Sequence, residues 1–348
     1  MARVTLQTIA DRLGVSRTTV SNAWSRPDQL SEELRRRILE AADELGYAGP
    51  DPAARGLRRG RADAIGLLLT EALAFAFADA YARDLLRGVA LATDAADTGL
   101  LLVPLPIGRQ VGQALRGAAV DGFIVYSMPD GHPAVSLLRH RGIPLVTIDG
   151  PRLSDVPFVG IDDRAAAGQL TGRVLQAGHR RLLVLAFRIV DDGRTGVVDD
   201  ERVEAAAYRV TCERLRGILQ ACREAAVSRS EVEIHEVGLN TRDGARRVVG
   251  AALEREDAPT AVVAISDELA AGAVDAVHAR GWRVPDQLSV VGYDDLELAR
   301  ELELTTVRQP GAEKGRLAAS QLLGATARGD LLLDHTVVER ASIGPPRR

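Results

Sequence analysis

From residue 65 onward, short apolar runs alternate along the chain with amphipathic stretches of helix length. The runs cover residues 65–69, 100–103, 122–126, 145–148, 182–187, 232–236, 261–265 and 288–291. Strands that are separated by helices pair in parallel, and helices then cover both faces of the sheet. About eight strands over roughly 280 residues predict two such α/β lobes, each built on a doubly wound parallel sheet.

Polar side chains follow several of these predicted strands. They are Asp149, Ser266, Asp267 and Asp294. Ligands of open α/β sheets bind at the carboxyl ends of the strands, so we predict that these four side chains bind a small molecule. An aspartate in this position also caps the helix that follows, and this alternative stays open for Asp267 and for Asp163.

Aromatic residues lie near the same predicted edge. Phe75 and Phe77 occupy a predicted loop after the first strand, in a chain with five phenylalanines, and Tyr126 ends the third strand. We predict that the three form an apolar wall against the ring of a sugar or purine, with ordinary core packing as the alternative. The stretch 188–204 is too polar, and contains too much glycine, for an assignment.

The N-terminal region has a different pattern, since its apolar residues recur at a spacing of three and four. This spacing predicts three short amphipathic helices with N-caps at Thr5, Ser16 and Ser31. The first helix ends at Gly14 and the third at Gly46. The tight turn between the first two helices is typical of a helix-turn-helix unit, whose second helix enters the major groove of DNA.

The outward side of the second helix is rich in hydrogen-bonding groups. Arg17, Thr18 and Asn22 are the predicted base readers, because Arg pairs with guanine, Asn with adenine, and Thr contacts the thymine methyl group. The residues better suited to phosphate contacts are Thr5, Ser16, Thr19 and Ser21. The alternative is that all of these residues simply face solvent on a small helical bundle.

Charge is distributed unevenly along the chain. Residues 1–61 hold 11 basic and 8 acidic residues, whereas the whole chain has a formal charge of −4. The densest positive charge is supplied by Arg55, Arg58, Arg59 and Arg61. An anionic partner is expected at this end, although a basic run is also typical of a solvated linker.

Other features argue against several classes of protein. The N-terminus lacks the apolar core of a signal peptide, and no apolar stretch approaches the length of about eighteen residues that a membrane span needs. We therefore expect a cytoplasmic protein without a membrane partner. Cys212 and Cys222 lie in one predicted helix at a separation of roughly 15 Å, which is too far for a disulfide. Without a CxxC motif or a Cys/His cluster, no metal or other cofactor is expected.

Several short motifs follow one another in the N-terminal region. They are Val4-Thr5-Leu6, Ile9-Ala10, Gly14-Val15-Ser16, Thr19-Val20-Ser21, Ser31-Glu32, Leu45-Gly46-Tyr47, Pro50 and Ala54-Arg55-Gly56-Leu57. In this density they resemble the head of the LacI/GalR family of bacterial repressors. The resemblance implies a DNA-binding domain over 1–49, a hinge over 50–61, and an effector-binding and dimerisation domain over 62–348.

The hinge of that family folds as a pair of helices in the minor groove, where two leucines wedge apart a central base step. Leu57 matches the leucine, Ala54 matches the small residue at which the paired helices approach, and Arg55 and Arg58 are expected in the same groove. The chain departs from the family in one added residue before Pro50 and in Gly56, which costs a helix about 1 kcal/mol relative to alanine. Both departures favour a hinge that unfolds readily without DNA.

The larger region also resembles the family. The matching motifs are Val159-Gly160-Ile161-Asp162-Asp163, the arginine pair around Gly217, and Ser289-Val290-Val291-Gly292-Tyr293-Asp294-Asp295. The resemblance implies a two-lobed fold similar to periplasmic sugar-binding proteins, with crossovers near 159–163, 291–295 and 307–312 and the effector between the lobes. Arg214 matches an arginine that bridges to the effector.

These observations lead to one functional hypothesis. The chain is expected to be a sequence-specific transcriptional regulator, a repressor, whose affinity for operator DNA is controlled by a sugar or related polar metabolite. Two heads on a homodimer would read a near-palindromic operator. The alternatives are a solute-binding protein of a transport system and an α/β enzyme, but we find no G-x-G-x-x-G after the first strand, no P-loop and no nucleophile elbow.

Overall fold

The computed structural model describes residues 4–49, 60–106 and 113–347. The chain divides into two compact units, Met1–Asp63 and Ala64–Arg348. We call them the first and the second unit.

The first unit contains the helices α1 (Leu6–Leu13), α2 (Arg17–Ser25) and α3 (Glu32–Glu44), with a short 3₁₀ turn at Pro27–Gln29. The three predicted N-caps are confirmed, because the side chains of Thr5, Ser16 and Ser31 each accept a backbone N–H of the first turn. The helices bury a shared core of Ile9, Ala10, Val20, Ala23, Ile38, Ala41 and Ala42. Removing these apolar faces from water stabilises the unit.

The second unit alternates strands and helices along most of its length. Its helices are α4 (Leu73–Ala78), α5 (Ala80–Ala95), α6 (Gln113–Gly117), α7 (Pro133–His140), α8 (Asp163–Gln176), α9 (Asp200–Glu204), α10 (Arg209–Glu224), α11 (Arg242–Ala252), α12 (Asp267–Ala279), α13 (Glu297–Glu301) and α14 (Gly311–Leu322). Its strands are β1 (Ala64–Leu69), β2 (Gly99–Pro104), β3 (Phe123–Tyr126), β4 (Leu145–Ile148), β5 (Phe158–Gly160), β6 (Leu182–Ala186), β7 (Gly196–Val198), β8 (Val232–Glu236), β9 (Ala261–Ala264), β10 (Ser289–Val291), β11 (Thr306–Arg308), β12 (Leu331–Leu332) and β13 (Thr336–Val338).

Eleven of the described strands form two sheets, each at the centre of one lobe, and β11 and β13 pair antiparallel as a separate two-stranded sheet. The sheet of the first lobe has the order β12-β5-β4-β3-β1-β2 and is parallel throughout. The sheet of the second lobe has the order β10-β9-β6-β8-β7, in which β7 alone runs antiparallel to its neighbour. All eight predicted strands and the two-lobed α/β fold are therefore confirmed.

The chain passes from the first sheet to the second lobe between β5 and α8, returns between β11 and α14, and leaves again between β12 and β13. The first two passages lie within the expected regions 159–163 and 307–312. The stretch 291–295, also expected to cross, instead leads from β10 to α13 within the second lobe, so that prediction was wrong. Isolated bridges to Thr305 and Arg308 hold this stretch against the segment that does cross.

Helices α5 and α14 of the first lobe pack at very short range. A Cβ atom at Gly88 would lie 1.8 Å from the carbonyl oxygen of Ala312, and one at Gly315 would lie 2.2 Å from that of Leu85. Only glycine fits at either position. This contact holds the start of α14 beside α5 and so places Lys314 in the interior.

The stretch 188–204, left unassigned above, contains the edge strand β7 and the short helix α9. The side chain of Arg202 fixes it, donating to Glu236 at 2.7 Å and to Asp192 at 2.8 Å. Cys212 and Cys222 are both buried, free thiols of α10, as predicted. Within the described residues, we find no helix that combines the length and the apolar character of a membrane span.

Candidate functional sites

The helix α2 of the first unit carries the predicted base-reading residues. Arg17 and Thr18 are exposed in its first turn, and Ser21 and Asn22 are half-buried one turn later. Residues four apart stand above one another on a helix, so these four side chains form two adjacent rows. The amide of Asn22 donates to Gln29 at 3.3 Å, a weak contact that leaves its orientation adjustable,.

Two of the predicted phosphate-binding residues also cap helices. Thr5 caps α1, and the Oγ of Ser16 accepts the backbone N–H of Thr19 at 3.0 Å. The hydroxyls of Ser16 and Thr19 also lie 2.8 Å apart. A hydroxyl has two acceptor positions and one donor, so a capping serine or threonine can still donate its O–H to a phosphate. The contacts predicted for Thr5, Ser16, Thr19 and Ser21 therefore stay predictions.

The predicted hinge residues lie outside the described part of the chain. They are Ala54, Arg55, Leu57 and Arg58. Their roles in the minor groove stay predictions.

A cavity in the second unit lies between the carboxyl ends of the two sheets. About 710 Å³ of space there is free of protein atoms, counting the part that opens to solvent, which is within the range of small-molecule sites,. The predicted residues Tyr126, Asp149, Arg214 and Asp294 all line it. Four residues predicted from the sequence, from both lobes, therefore lie around the same cavity. We call this space the interlobe cavity.

A buried lysine lies behind the first-lobe wall of the interlobe cavity. Lys314 is the only lysine in the sequence, and its side chain is fully buried. Its Nζ donates to Asp149 Oδ1 at 2.6 Å, to Gln309 Oε1 at 2.6 Å and to the Tyr81 hydroxyl at 3.0 Å. These three acceptors match the three donors of an ammonium group. Lys314 therefore fixes two lining residues, Asp149 and Tyr81, from outside the cavity.

Arg214 is anchored in the second-lobe wall. Its Nε donates to Asp163 Oδ1 at 2.9 Å, and its Nη1 donates to the carbonyl oxygen of Ile265 at 2.6 Å. The guanidinium carbon lies 3.6 Å from the centre of the Tyr293 ring, and the Tyr293 hydroxyl donates to the same Asp163 oxygen at 3.1 Å. Such stacking and forked donation suit arginine and fix its plane.

Gln309 connects these two clusters. Its amide nitrogen donates to Asp294 Oδ1 at 2.5 Å, while its oxygen accepts from Lys314. Asp294 itself lies 3.9 Å from Arg214 Nη1, beyond hydrogen-bonding distance,. Burial raises the pKa of Asp294 well above its ordinary value, and the nearby Arg214 offsets only part of this effect. A continuous polar chain therefore runs beneath the cavity from one lobe to the other.

Two side chains of the second lobe reach across to the first. Arg188 donates to Thr70 Oγ1 at 2.9 Å and pairs with Glu71 Oε1 at 2.7 Å. Asn240 donates to Asp79 Oδ2 at 3.1 Å. All five residues line the interlobe cavity, so these bonds join its two walls directly.

Ser266 and Asp267 were predicted to contact the ligand, but neither is among the residues that line the cavity. Ser266 caps α12 and donates to Asn240 Oδ1 at 2.6 Å. Asp267 is completely buried and accepts from the Thr306 hydroxyl at 2.6 Å and from the Leu296 N–H at 2.8 Å. Burial raises the pKa of Asp267 to about 6. The two residues support the wall instead of forming it.

Phe75 and Phe77 also lie away from the described lining of the cavity. The predicted loop was wrong, because both belong to the helix α4, whose alternating alanines favour helix,. Phe77 is 53% exposed, and Phe75 is half-buried. Neither side chain therefore forms the predicted apolar wall in this structure.

Several lining or supporting residues were missed by sequence reasoning. Arg188 follows strand β6 closely, so the rule that identified Asp149 also applies to it. Lys314 is marked in the sequence only by being its single lysine. Tyr81 and Tyr208 carry no comparable signal, because their side chains reach the cavity from helix-forming segments that are distant in sequence.

Comparisons with known proteins cover both units. Residues 5–49 match the family model for bacterial regulatory proteins of the lacI family, and residues 171–343 match the model for a periplasmic binding protein-like domain. The HTH-type transcriptional regulator Rv3575c of Mycobacterium tuberculosis is 41% identical over 99% of this chain and 98% of its own length.

Two solved structures are also similar. A LacI-family transcriptional regulator from Corynebacterium glutamicum is 36% identical, with a TM-score of 0.76 over 99% of this chain and all of that chain. The transcriptional regulator CelR in complex with cellobiose is 28% identical, with a TM-score of 0.68 over 98% of this chain and all of that chain.

Proposed function

Because the chain belongs to the LacI family of bacterial regulatory proteins, we propose that it is a transcriptional repressor whose affinity for operator DNA is set by a neutral, polyhydroxylated molecule in the interlobe cavity. Residues 1–49 form the DNA-binding domain, residues 50–61 the hinge, and residues 62–348 the effector-binding and dimerisation domain. The observation that carries the proposal is a helix-turn-helix match on the same chain as a cavity lined by polar side chains of two lobes.

The exposure of Arg17 and Thr18 on α2 supports the proposed DNA contacts. Arg17, Thr18 and Asn22 read base edges, while Thr5, Ser16, Thr19 and Ser21 bind phosphates. The hinge residues Ala54, Arg55, Leu57 and Arg58 enter the minor groove. Each head reads one half of a near-palindromic operator.

The charges of the interlobe cavity favour an uncharged effector. The two arginines among its described lining residues already have carboxylate partners, Glu71 for Arg188 and Asp163 for Arg214. The lining carboxylate of Asp149 is in turn paired with Lys314. A phosphorylated or carboxylated effector would need a cation that is already paired, whereas the hydroxyls of a neutral molecule can donate to carboxylates and accept from arginines. The cellobiose complex of CelR supports a sugar-like effector for this fold.

Homodimerisation is supported by apolar surface on the first lobe. Leu91 on α5 is 53% exposed, and Leu101 on the edge strand β2 is 37% exposed. Burial of such residues against a second copy would hold two heads at a fixed separation, as a near-palindromic site requires. Effector binding then changes operator affinity through a coupling free energy of about 1–3 kcal/mol.

The two alternatives are less well supported. A transport solute-binding protein has no use for the helix-turn-helix that residues 5–49 match. An α/β enzyme is disfavoured because the relatives reported above are transcriptional regulators.

Selection of binding sites from randomised DNA duplexes tests the DNA-binding function. The chain should enrich one near-palindromic sequence and prefer it to random DNA at moderate salt in fluorescence anisotropy. Arg17→Ala should cost about 1–3 kcal/mol on that sequence and relax the preference at one base pair. Arg36→Ala is the matched control, because Arg36 lies on α3 and pairs with Glu33 and Glu40. Equal loss of preference in both variants, or no enrichment by the wild type, would contradict the proposal.

A further inference from the structure

The side chain of Tyr208 is buried against the interlobe cavity without a hydrogen bond for its hydroxyl. Tyr208 immediately precedes α10 and is 3% exposed. Its hydroxyl oxygen is buried and has no hydrogen-bond partner among the residues that the structure describes. Tyr208 also lines the cavity. A buried polar atom without a partner is uncommon in folded proteins and calls for an explanation.

The ring of Tyr208 is held in place by the bridge between the lobes. The guanidinium carbon of Arg188 lies 5.6 Å from the ring centre, and Arg188 is itself fixed by Thr70 and Glu71 of the opposite lobe. Leaving such a hydroxyl unpaired carries a desolvation cost, which a ligand oxygen in the cavity would offset. The Tyr208 hydroxyl is therefore a hydrogen-bond donor that is already in position before any ligand is bound.

We propose that Tyr208 is a specificity-determining residue of the effector site, which donates its hydroxyl to an oxygen atom of a neutral polyol or sugar. The proposal rests on the function proposed above. It adds a second-lobe contact that selects effectors with an acceptor oxygen at this position.

The neighbouring groups define what else that molecule must offer. Glu71 and Asp79 line the same cavity and accept from Arg188 and Asn240, and hydroxyl groups of the effector can donate to the acceptor positions that these carboxylates have left,. Burial raises the pKa of Tyr208 to about 12, which keeps its proton in place at neutral pH. A hydroxyl group meets both demands, because it donates and accepts at once.

The variant Tyr208→Phe tests the proposal, with Tyr293→Phe as the matched control. Both remove one buried hydroxyl, but the Tyr293 hydroxyl donates to Asp163 at 3.1 Å. In thermal unfolding without sugar, Tyr208→Phe should keep or exceed the wild-type Tm, whereas Tyr293→Phe should lower it by roughly 2–4 °C. A loss of Tm in Tyr208→Phe as large as in the control would mean that the hydroxyl is already satisfied, which overturns the premise.

The second arm measures binding with D-ribose, D-glucose, cellobiose and glycerol as probes. Any probe that raises the wild-type Tm should bind Tyr208→Phe roughly 3- to 10-fold more weakly by calorimetry. Equal affinity for both chains overturns the role of Tyr208, and the absence of any effect on the wild type overturns the neutral-polyol class. Failure of the wild type to select an operator would instead count against the proposed function, so the two failures are distinguishable.

Discussion

Asp149 and Asp294 line the same cavity from opposite lobes, but their charges are compensated differently. Asp149 receives the ammonium of Lys314 at 2.6 Å, whereas Asp294 receives the neutral amide of Gln309 and lies 3.9 Å from Arg214. Behind Asp294, the buried Asp267 is held by a hydroxyl and a backbone N–H. Burial raises the pKa of both second-lobe carboxyls. Asp149 in the first-lobe wall therefore holds a compensated charge, while burial favours the protonated forms of Asp267 and Asp294 on the second-lobe side.

The largest effect is expected when Lys314, the cation of the first lobe, is replaced. Lys314→Met keeps the length of the side chain but leaves Asp149 buried without its ammonium partner. The free energy of unfolding should fall by about 3–5 kcal/mol in urea denaturation, the usual cost of breaking a buried ion pair. The double variant Lys314→Met with Asp149→Asn should recover part of this loss, because it also removes the unpaired charge. A single variant as stable as the wild type would abolish the distinction between the two walls.

The second test titrates the second-lobe side. The pKa of Asp267 is raised from 3.8 to about 6, so protonation favours the folded state. Its stabilising contribution is present below the ordinary pKa and is lost as pH rises through about 6. This loss amounts to about 2 kcal/mol between pH 4 and pH 6. Urea denaturation across this range should show a shallower decline with pH for Asp267→Asn than for the wild type.

A matched control keeps this pH experiment specific. Asp257→Asn removes a carboxyl whose side chain is 80% exposed and should retain the wild-type dependence on pH. Identical pH profiles for Asp267→Asn and the wild type would show that Asp267 is compensated after all.

The smallest expected effect concerns the bonds that join the walls. Arg188→Met removes the contacts to Thr70 and Glu71, and it should lower the free energy of unfolding by about 1–2 kcal/mol,. Small-angle scattering should also report a larger radius of gyration as the lobes separate. Arg87→Met is the control, since its pair with Asp84 is largely exposed and should contribute less than about 1 kcal/mol,. An unchanged radius for Arg188→Met would mean that this pair does not hold the lobes together.

Much of the fold was predictable from the sequence because its signals are local. The eight predicted strands are apolar runs, most of them buried, and the helices of the first unit are marked by capping residues at their N-terminal ends. Tyr126, Asp149, Arg214 and Asp294 were found as lining residues because strand ends and a family motif mark them. Each of these features can be predicted from residues close together in the sequence or from a known motif.

The remaining parts of the site depend on contacts between residues distant in sequence, or on the direction in which side chains point at the start of a helix. Lys314 contacts Tyr81 and Asp149, which precede it by 233 and 165 residues. A local sequence pattern cannot predict contacts between residues so far apart in the chain. Ser266 and Asp267 follow a strand as Asp149 does, but they begin a helix at once, so their side chains turn toward α12 and the supporting segments. Phe75 was predicted to lie in a loop but belongs to the helix α4. With six residues, this helix is too short to show a helical period in the sequence.

The solitary buried lysine has a practical consequence for following this protein in solution. Reagents that acylate amines can modify only one side chain, and that side chain is inaccessible in the folded second unit. Its rate of acylation under native conditions should therefore measure how often the first lobe opens far enough to expose α14. Mass spectrometry of a single labelled peptide would then report the opening free energy of one lobe without any engineered probe.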